Sequence, residues 1–285
     1  MEISLKRIDT NFKGERCFVH ARGALNEEGK FVILTQPLRL SGSDIFYGMQ
    51  ELHSDDGGET WSAITPCENL TRKPYLDKYE ICLCDATPLY HQKTGKILAT
   101  GSDVIYENDE FPKDLVSRSP AWTVFDEETG QWEDFHILDI PDRGDRLYNC
   151  GSGCCQCQVL DNGDILVPVY YRDKKSAADL WNHCSCVTVL RCSFDGKELK
   201  YITAGNELSV DVPRGLGEPS VIEYGGEYFL CLRNDVTGYV AKGSDGLNYG
   251  DPKELCFDDG TNVGNYNTQQ HWIKGGGKLY LVYTR

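Results

Sequence analysis

The chain is poor in positive charge: 29 Lys and Arg stand against 44 Asp and Glu, a net charge of −15. Phosphate recognition needs a basic surface, so nucleic acid is not an expected partner. Long apolar runs are also missing, and the opening Met1-Glu2-Ile3-Ser4-Leu5-Lys6-Arg7-Ile8-Asp9 carries charges where a signal peptide needs an uninterrupted apolar core. Neither a membrane partner nor export is expected. No glycine-rich phosphate loop or nucleophile elbow stands out, and no cofactor is implied. Cysteine, by contrast, is plentiful at 13, an odd number that cannot pair completely within the chain. Cys17, Cys82, Cys84, Cys186, Cys192 and Cys231 sit in strand-like runs, where a reduced thiol serves as a small hydrophobe, so a reducing cytoplasm is the expected location. With 11% aromatic and 26% charged residues there is material for a core, and one domain over 1–285 is expected.

What is present is a repeated turn. In Ser54-Asp55-Asp56-Gly57-Gly58-Glu59-Thr60-Trp61 the Asp56 carboxylate is placed to accept backbone N–H groups, Gly58 to take positive φ, and Trp61 to drop into an apolar seam. Degenerate copies follow at Asp126, Asp195 and Asp245, at intervals of 70, 69 and 50 residues. Recurrence of one turn at such spacing argues for radially repeated antiparallel sheets with long loops. All eight positions fit the Asp-box, and the chain thereby resembles the sialidase superfamily of BNR-repeat β-propellers.

Short β-rich runs separated by turns place blades at about 11–70, 80–140, 147–205, 216–257 and, in part, 265–285. In the first, strands are expected over 16–24, 31–35 and 44–47. Asp161-Asn162-Gly163-Asp164 and Gly225-Gly226 read as hairpin turns. Pro168 cannot donate to a ladder, which predicts a bulge there. The fold class expected is all-β, a six-bladed sialidase-like propeller of which this chain supplies about four and a half blades, the remainder lying beyond Arg285.

The resemblance also implies a site. Sialidases place an arginine on the first inner strand, an aspartate in the loop before the first Asp-box, and a glutamate one hairpin before a second arginine; Arg22, Asp44, Glu218 and Arg233 occupy those places. Arginine forks would clamp the carboxylate of an acidic sugar. Asp44 would be the general acid, and Glu218 the carboxylate that in the family polarises a tyrosine nucleophile. The family's Arg-Ile-Pro signature is here Arg22-Gly23-Ala24, and by the same alignment the third arginine and the tyrosine would lie beyond Arg285. Asp85, His91, Tyr170, Gln270 and His271, with His20 and Asn267, cluster at inner-strand ends and are expected to bind substrate. The partner expected is therefore carbohydrate, cleaved by an exo-acting hydrolase. A propeller polysaccharide lyase acting on a uronate, with His20, His91, Tyr170 or His271 as base, and a non-catalytic carbohydrate-binding propeller are the alternatives. In Cys150-Gly151-Ser152-Gly153-Cys154-Cys155-Gln156-Cys157, strand alternation separates Cys154 from Cys155 and Cys157, which argues against a shared metal centre, so no metal is expected.

Overall fold

The computed structural model describes residues 6–9, 13–41, 44–113, 118–176, 184–264 and 268–284. Its first sheet runs β1 (Arg16–Leu25), β2 (Phe31–Arg39), β3 (Gln50–Ser54), β4 (Thr65–Pro66). The second is built from β5 (Lys73–Tyr75), β6 (Tyr79–His91), β7 (Lys96–Tyr106), β8 (Pro120–Asp126), β9 (Gln131–Trp132) and β10 (His136–Ile137). The third holds β11 (Asn149–Gly151), β12 (Gln158–Val159), β13 (Ile165–Arg172), β14 (Cys186–Phe194) and β15 (Leu199–Ala204). The fourth is β16 (Gly217–Tyr224), β17 (Glu227–Arg233), β18 (Tyr239–Gly243) and β19 (Lys253–Glu254), and a hairpin of β20 (His271–Gly275) and β21 (Lys278–Val282) begins a fifth.

The apolar residues form seams between successive sheets, which is what makes the arrangement a propeller. Leu34, Leu83, Ala99 and Trp132 join the first sheet to the second, Leu98 and Trp122 meet Val167 and Leu190 in the next seam, and Leu166 and Val189 meet Val221 and Leu230 in the third. Ile222 and Cys231 pack on Trp272 of the hairpin. The chain is an all-β propeller.

The four aspartate turns lie at the ends of β3, β8, β14 and β18. In the first, Asp56 accepts from the Thr60 N–H at 2.8 Å and the Thr60 hydroxyl at 2.6 Å, and Gly58 has φ of 90°. These bonds hold the Asp56 carboxyl down at about 2. Asp126, Asp195 and Asp245 likewise accept backbone N–H groups two residues on, at 2.9–3.0 Å. The Gly57 N–H donates to the Gly29 carbonyl at 3.1 Å, which ties the first of these turns to the β1–β2 turn.

Two strand expectations are corrected. The third strand of the first sheet is Gln50–Ser54, not 44–47: Ile45 and Phe46 are buried in a loop, whereas polar Glu51 can lie inside the sheet because the Trp132 indole donates to it at 2.9 Å. Pro168 makes no bulge, and β13 pairs with β14 in unbroken register. The ladder is broken on the other side, where β11 and β12 flank a six-residue interruption opposite the proline ring.

Candidate functional site

The inner strands share a device that aims side chains at the axis. In β1, His20 and Ala21 stand opposite Thr35 alone; in β6, Asp85 and Ala86 oppose Gly101; in β16, Glu218 and Pro219 oppose Leu232. Each is a β-bulge whose first residue is left-handed, with φ of 55° at His20, 58° at Asp85 and 43° at Glu218. In the interrupted inner strand of the third sheet Cys154 takes the same conformation, φ 61°, and its N–H donates to the Asp85 carbonyl at 2.9 Å. Small residues make the close approach possible. A Cβ on Gly153 would sit 3.0 Å from Asp85 Cβ, and one on Gly101 would sit 2.5 Å from the Cys84 carbonyl oxygen.

At the axis, His20 Nδ1 is hydrogen-bonded to Asp85 Oδ1, and the Cys154 sulfur lies 3.9 Å from the same nitrogen. Arg22 Nη1 donates to the His20 carbonyl at 3.3 Å and its Nε faces His271 Nε2 at 3.4 Å. Burial works against the Arg22 charge, but Cys154, Asp85 and Glu218 outweigh it and the guanidinium holds its proton more firmly than usual. Arg233 pairs with Glu218 Oε1, while Glu218 Oε2 is buried with no hydrogen-bond partner. Arg22 and Arg233 thus come from distant parts of the chain to the surroundings of one carboxylate.

The electrostatics separate the two acids. Burial pushes Asp85 up, but His20, Arg22 and Arg118 prevail and its carboxyl stays below the usual range. Burial and the neighbouring Asp85 raise Glu218 despite Arg233. His271 is driven down to about 4 by burial and by the charges of Arg22 and His20, so it is neutral beside the arginine. Burial likewise pushes the Cys154 thiol and the Tyr170 phenol well up, leaving both protonated.

Of the residues expected from sequence, Arg22, Asp85, Glu218, Arg233, Tyr170 and His271 come together. Asp44 is exposed on the β2–β3 loop, left-handed at φ 59°, its carbonyl accepting the Tyr106 hydroxyl at 2.8 Å. His91 is a correction. It ends β6, six residues and roughly 20 Å beyond Asp85. It is fully buried, with Nδ1 on the Thr94 hydroxyl and Nε2 on the Gly163 carbonyl, both at 2.7 Å, so it splices two turns and offers nothing to a ligand. Gln270 is 1% exposed, with no hydrogen-bond partner for its side-chain amide oxygen or nitrogen among the described residues. Asn267 lies outside the described residues.

Two members of the site were not foreseen. Arg118, on the loop between β7 and β8, neighbours Tyr170, Asp44 and Asp85 and supplies a third guanidinium. Its only sequence signal was a lone arginine before a strand. Cys154 was read as one of a strand's alternating thiols, and the left-handed kink that turns it to the axis carries no composition signal beyond the flanking Gly151 and Gly153. Gln36 is a hidden support, its amide spanning from Leu83 O at 3.0 Å to the Asp85 N–H at 3.1 Å. Surface clefts of about 200 and 270 Å³ between the first two sheets, lined by Glu68, Trp132, Phe31 and Phe125 among others, lie apart from this cluster.

No family model and no curated protein sequence matches the chain. Solved structures do. A sialidase from Trypanosoma rangeli superposes with a TM-score of 0.62 at 14% identity over 94% of this chain and 43% of that one. A Dyadobacter fermentans protein of unknown function gives 0.65 at 16%, over 95% and 76% of the two chains. A GH43 β-1,3-galactosidase bound to galactodeoxynojirimycin gives 0.58 at 15%, over 92% and 85%. The chain therefore spans less than half the length of the trypanosomal sialidase, and what it shares with these proteins is the propeller fold.

Proposed function

We propose that the axial mouth binds the terminal acidic sugar of a glycan and hydrolyses its glycosidic bond in the manner of a sialidase. The observation that carries this reading is the convergence of Arg22 and Arg233 on Glu218. An incoming sugar carboxylate competes with Glu218 for Arg233, so binding releases the raised Glu218 carboxyl for proton transfer. Arg22, held by the His20 carbonyl and beside neutral His271, supplies the second fork. Asp44 on its exposed loop protonates the leaving oxygen once substrate covers it. Fold likeness to sialidases and a galactosidase supports the substrate class; it does not by itself assign chemistry.

The test is incubation with fluorogenic and natural sialosides and uronides, followed by mass spectrometry. Free acidic sugar plus aglycone is the expected product, with kcat/KM falling about 10–100-fold in Arg22→Ala and Arg233→Ala. A rise in ultraviolet absorbance from an unsaturated sugar would instead establish the uronate lyase, which the His20–Asp85 pair beside Arg22 and Tyr170 also suits. Binding without turnover, unchanged in Asp44→Asn, would leave a carbohydrate-binding propeller.

A further inference from the structure

Among the described residues, His20, Asp85 and Cys154 bring one nitrogen, one oxygen and one sulfur within 4.8 Å of one another. They come from three successive inner strands, and each is pointed at the axis by its own left-handed backbone. A nucleophile–histidine–carboxylate relay is a poor description of the trio. Such a relay uses both imidazole nitrogens, one for the nucleophile and one for the carboxylate. Here carboxylate and sulfur both approach Nδ1, and Nε2 faces the Gln269 amide at 3.5 Å. Three donors of different kinds meeting at one point is the arrangement of ligands.

The dimensions suit a small thiophilic cation. With bonds of about 2.0–2.3 Å, the ligand atoms of tetrahedral zinc lie about 3.3–3.8 Å apart. The widest separation here needs to contract by about 1 Å and the His20–Asp85 hydrogen bond to open by a similar amount. Beside the trio, the buried Oε2 of Glu218 has no hydrogen-bond partner. The geometry points to a zinc-class divalent cation site formed by His20 Nδ1, Asp85 and Cys154 Sγ, with its fourth position facing the axial mouth. On binding, the Cys154 S–H loses its proton to solvent as the sulfur–metal bond forms. The site does not depend on the hydrolase reading and is tested without any substrate.

Purified protein stripped with chelator is titrated with Zn²⁺ by calorimetry and with Co²⁺ by absorption. The expected result is about one Zn²⁺ per chain and a near-ultraviolet thiolate-to-cobalt band. Cys154→Ser removes the band and weakens Zn²⁺ at least 10-fold, and Asp85→Asn weakens it to a similar extent. Cys157→Ser keeps both, because the Cys157 sulfur is 3.2 Å from the Thr100 hydroxyl and away from the trio. Should Cys154→Ser lose its fold by circular dichroism, His20→Gln gives the same reading through a second ligand. Absence of stoichiometric Zn²⁺, a band that survives Cys154→Ser, or unchanged affinity in His20→Gln overturns the site and leaves the trio as a counter-ion set for Arg22.

Discussion

Arg233 and Glu218 hold each other in a largely buried pair, with side-chain exposures of 20% and 13%. Removing one partner strands the other charge, so Arg233→Met is expected to lower unfolding free energy by about 3 kcal/mol in urea titrations, and adding Glu218→Gln to recover much of it. If the double variant is no more stable than the single, the pair is not the reason. Arg22, Glu218 and Arg233 were legible in the sequence because they fall at the places the resemblance to sialidases assigns to site residues. His91 misled for a reason of the same scale. A histidine at a strand end reads alike at either end of the propeller, and only the neighbouring blade's Gly163 turn decides that this one is closed in. Cys154 escaped because strand alternation assigns it a face that its left-handed backbone overrides.

At the scale of the strand, the bulges tie position to hydrogen bonding, and a residue that never touches the site can disturb it. Gly101 lies opposite the Asp85 bulge, where an added Cβ meets main chain. Gly101→Ala is expected to cost about 1–3 kcal/mol in thermal or urea unfolding. It should also weaken any ligand of Asp85, whereas alanine at the open Gly144 should do neither. Equal stability of the two variants would show that the ledge yields freely. Hairpins such as Glu223–Glu227 were readable because turn chemistry is local, with Gly225 and Gly226 at φ of 65° and 79°. The Gln50–Ser54 strand was not, since its buried Glu51 is satisfied by Trp132 from the next blade together with His53 two residues on. Pro168 shows the same dependence: the proline signal was real, but the chain answered it by interrupting the neighbouring strand.

For the molecule as a whole, repetition of the aspartate turn was enough to give the propeller, while the convergence at its axis had to wait for three dimensions. Two buried groups set opposing trends in its stability with pH. His271 titrates near 4 when folded and 6.5 as a free side chain, so the unfolded chain binds more protons between those values and stability rises with pH there. Asp103 behaves in reverse. Burial lifts it from 3.8 to about 6, the folded chain holds the extra proton, and stability falls as pH climbs through that window. These two contributions oppose one another between pH 4 and 6. Asp103→Asn, which keeps an acceptor for the Ser119 N–H, should uncover a Tm that climbs with pH more steeply than in the parent; identical slopes would place Asp103's titration elsewhere. A last consequence concerns how the mouth can change. Because main-chain twist, not rotamer choice, directs the residues at His20, Asp85, Cys154 and Glu218, each blade offers a socket whose occupant can be exchanged without redrawing the sheet. Asparagine, aspartate and histidine accept that twist readily and valine or isoleucine do not. New chemistries are thus open to this scaffold one blade at a time, from a restricted alphabet.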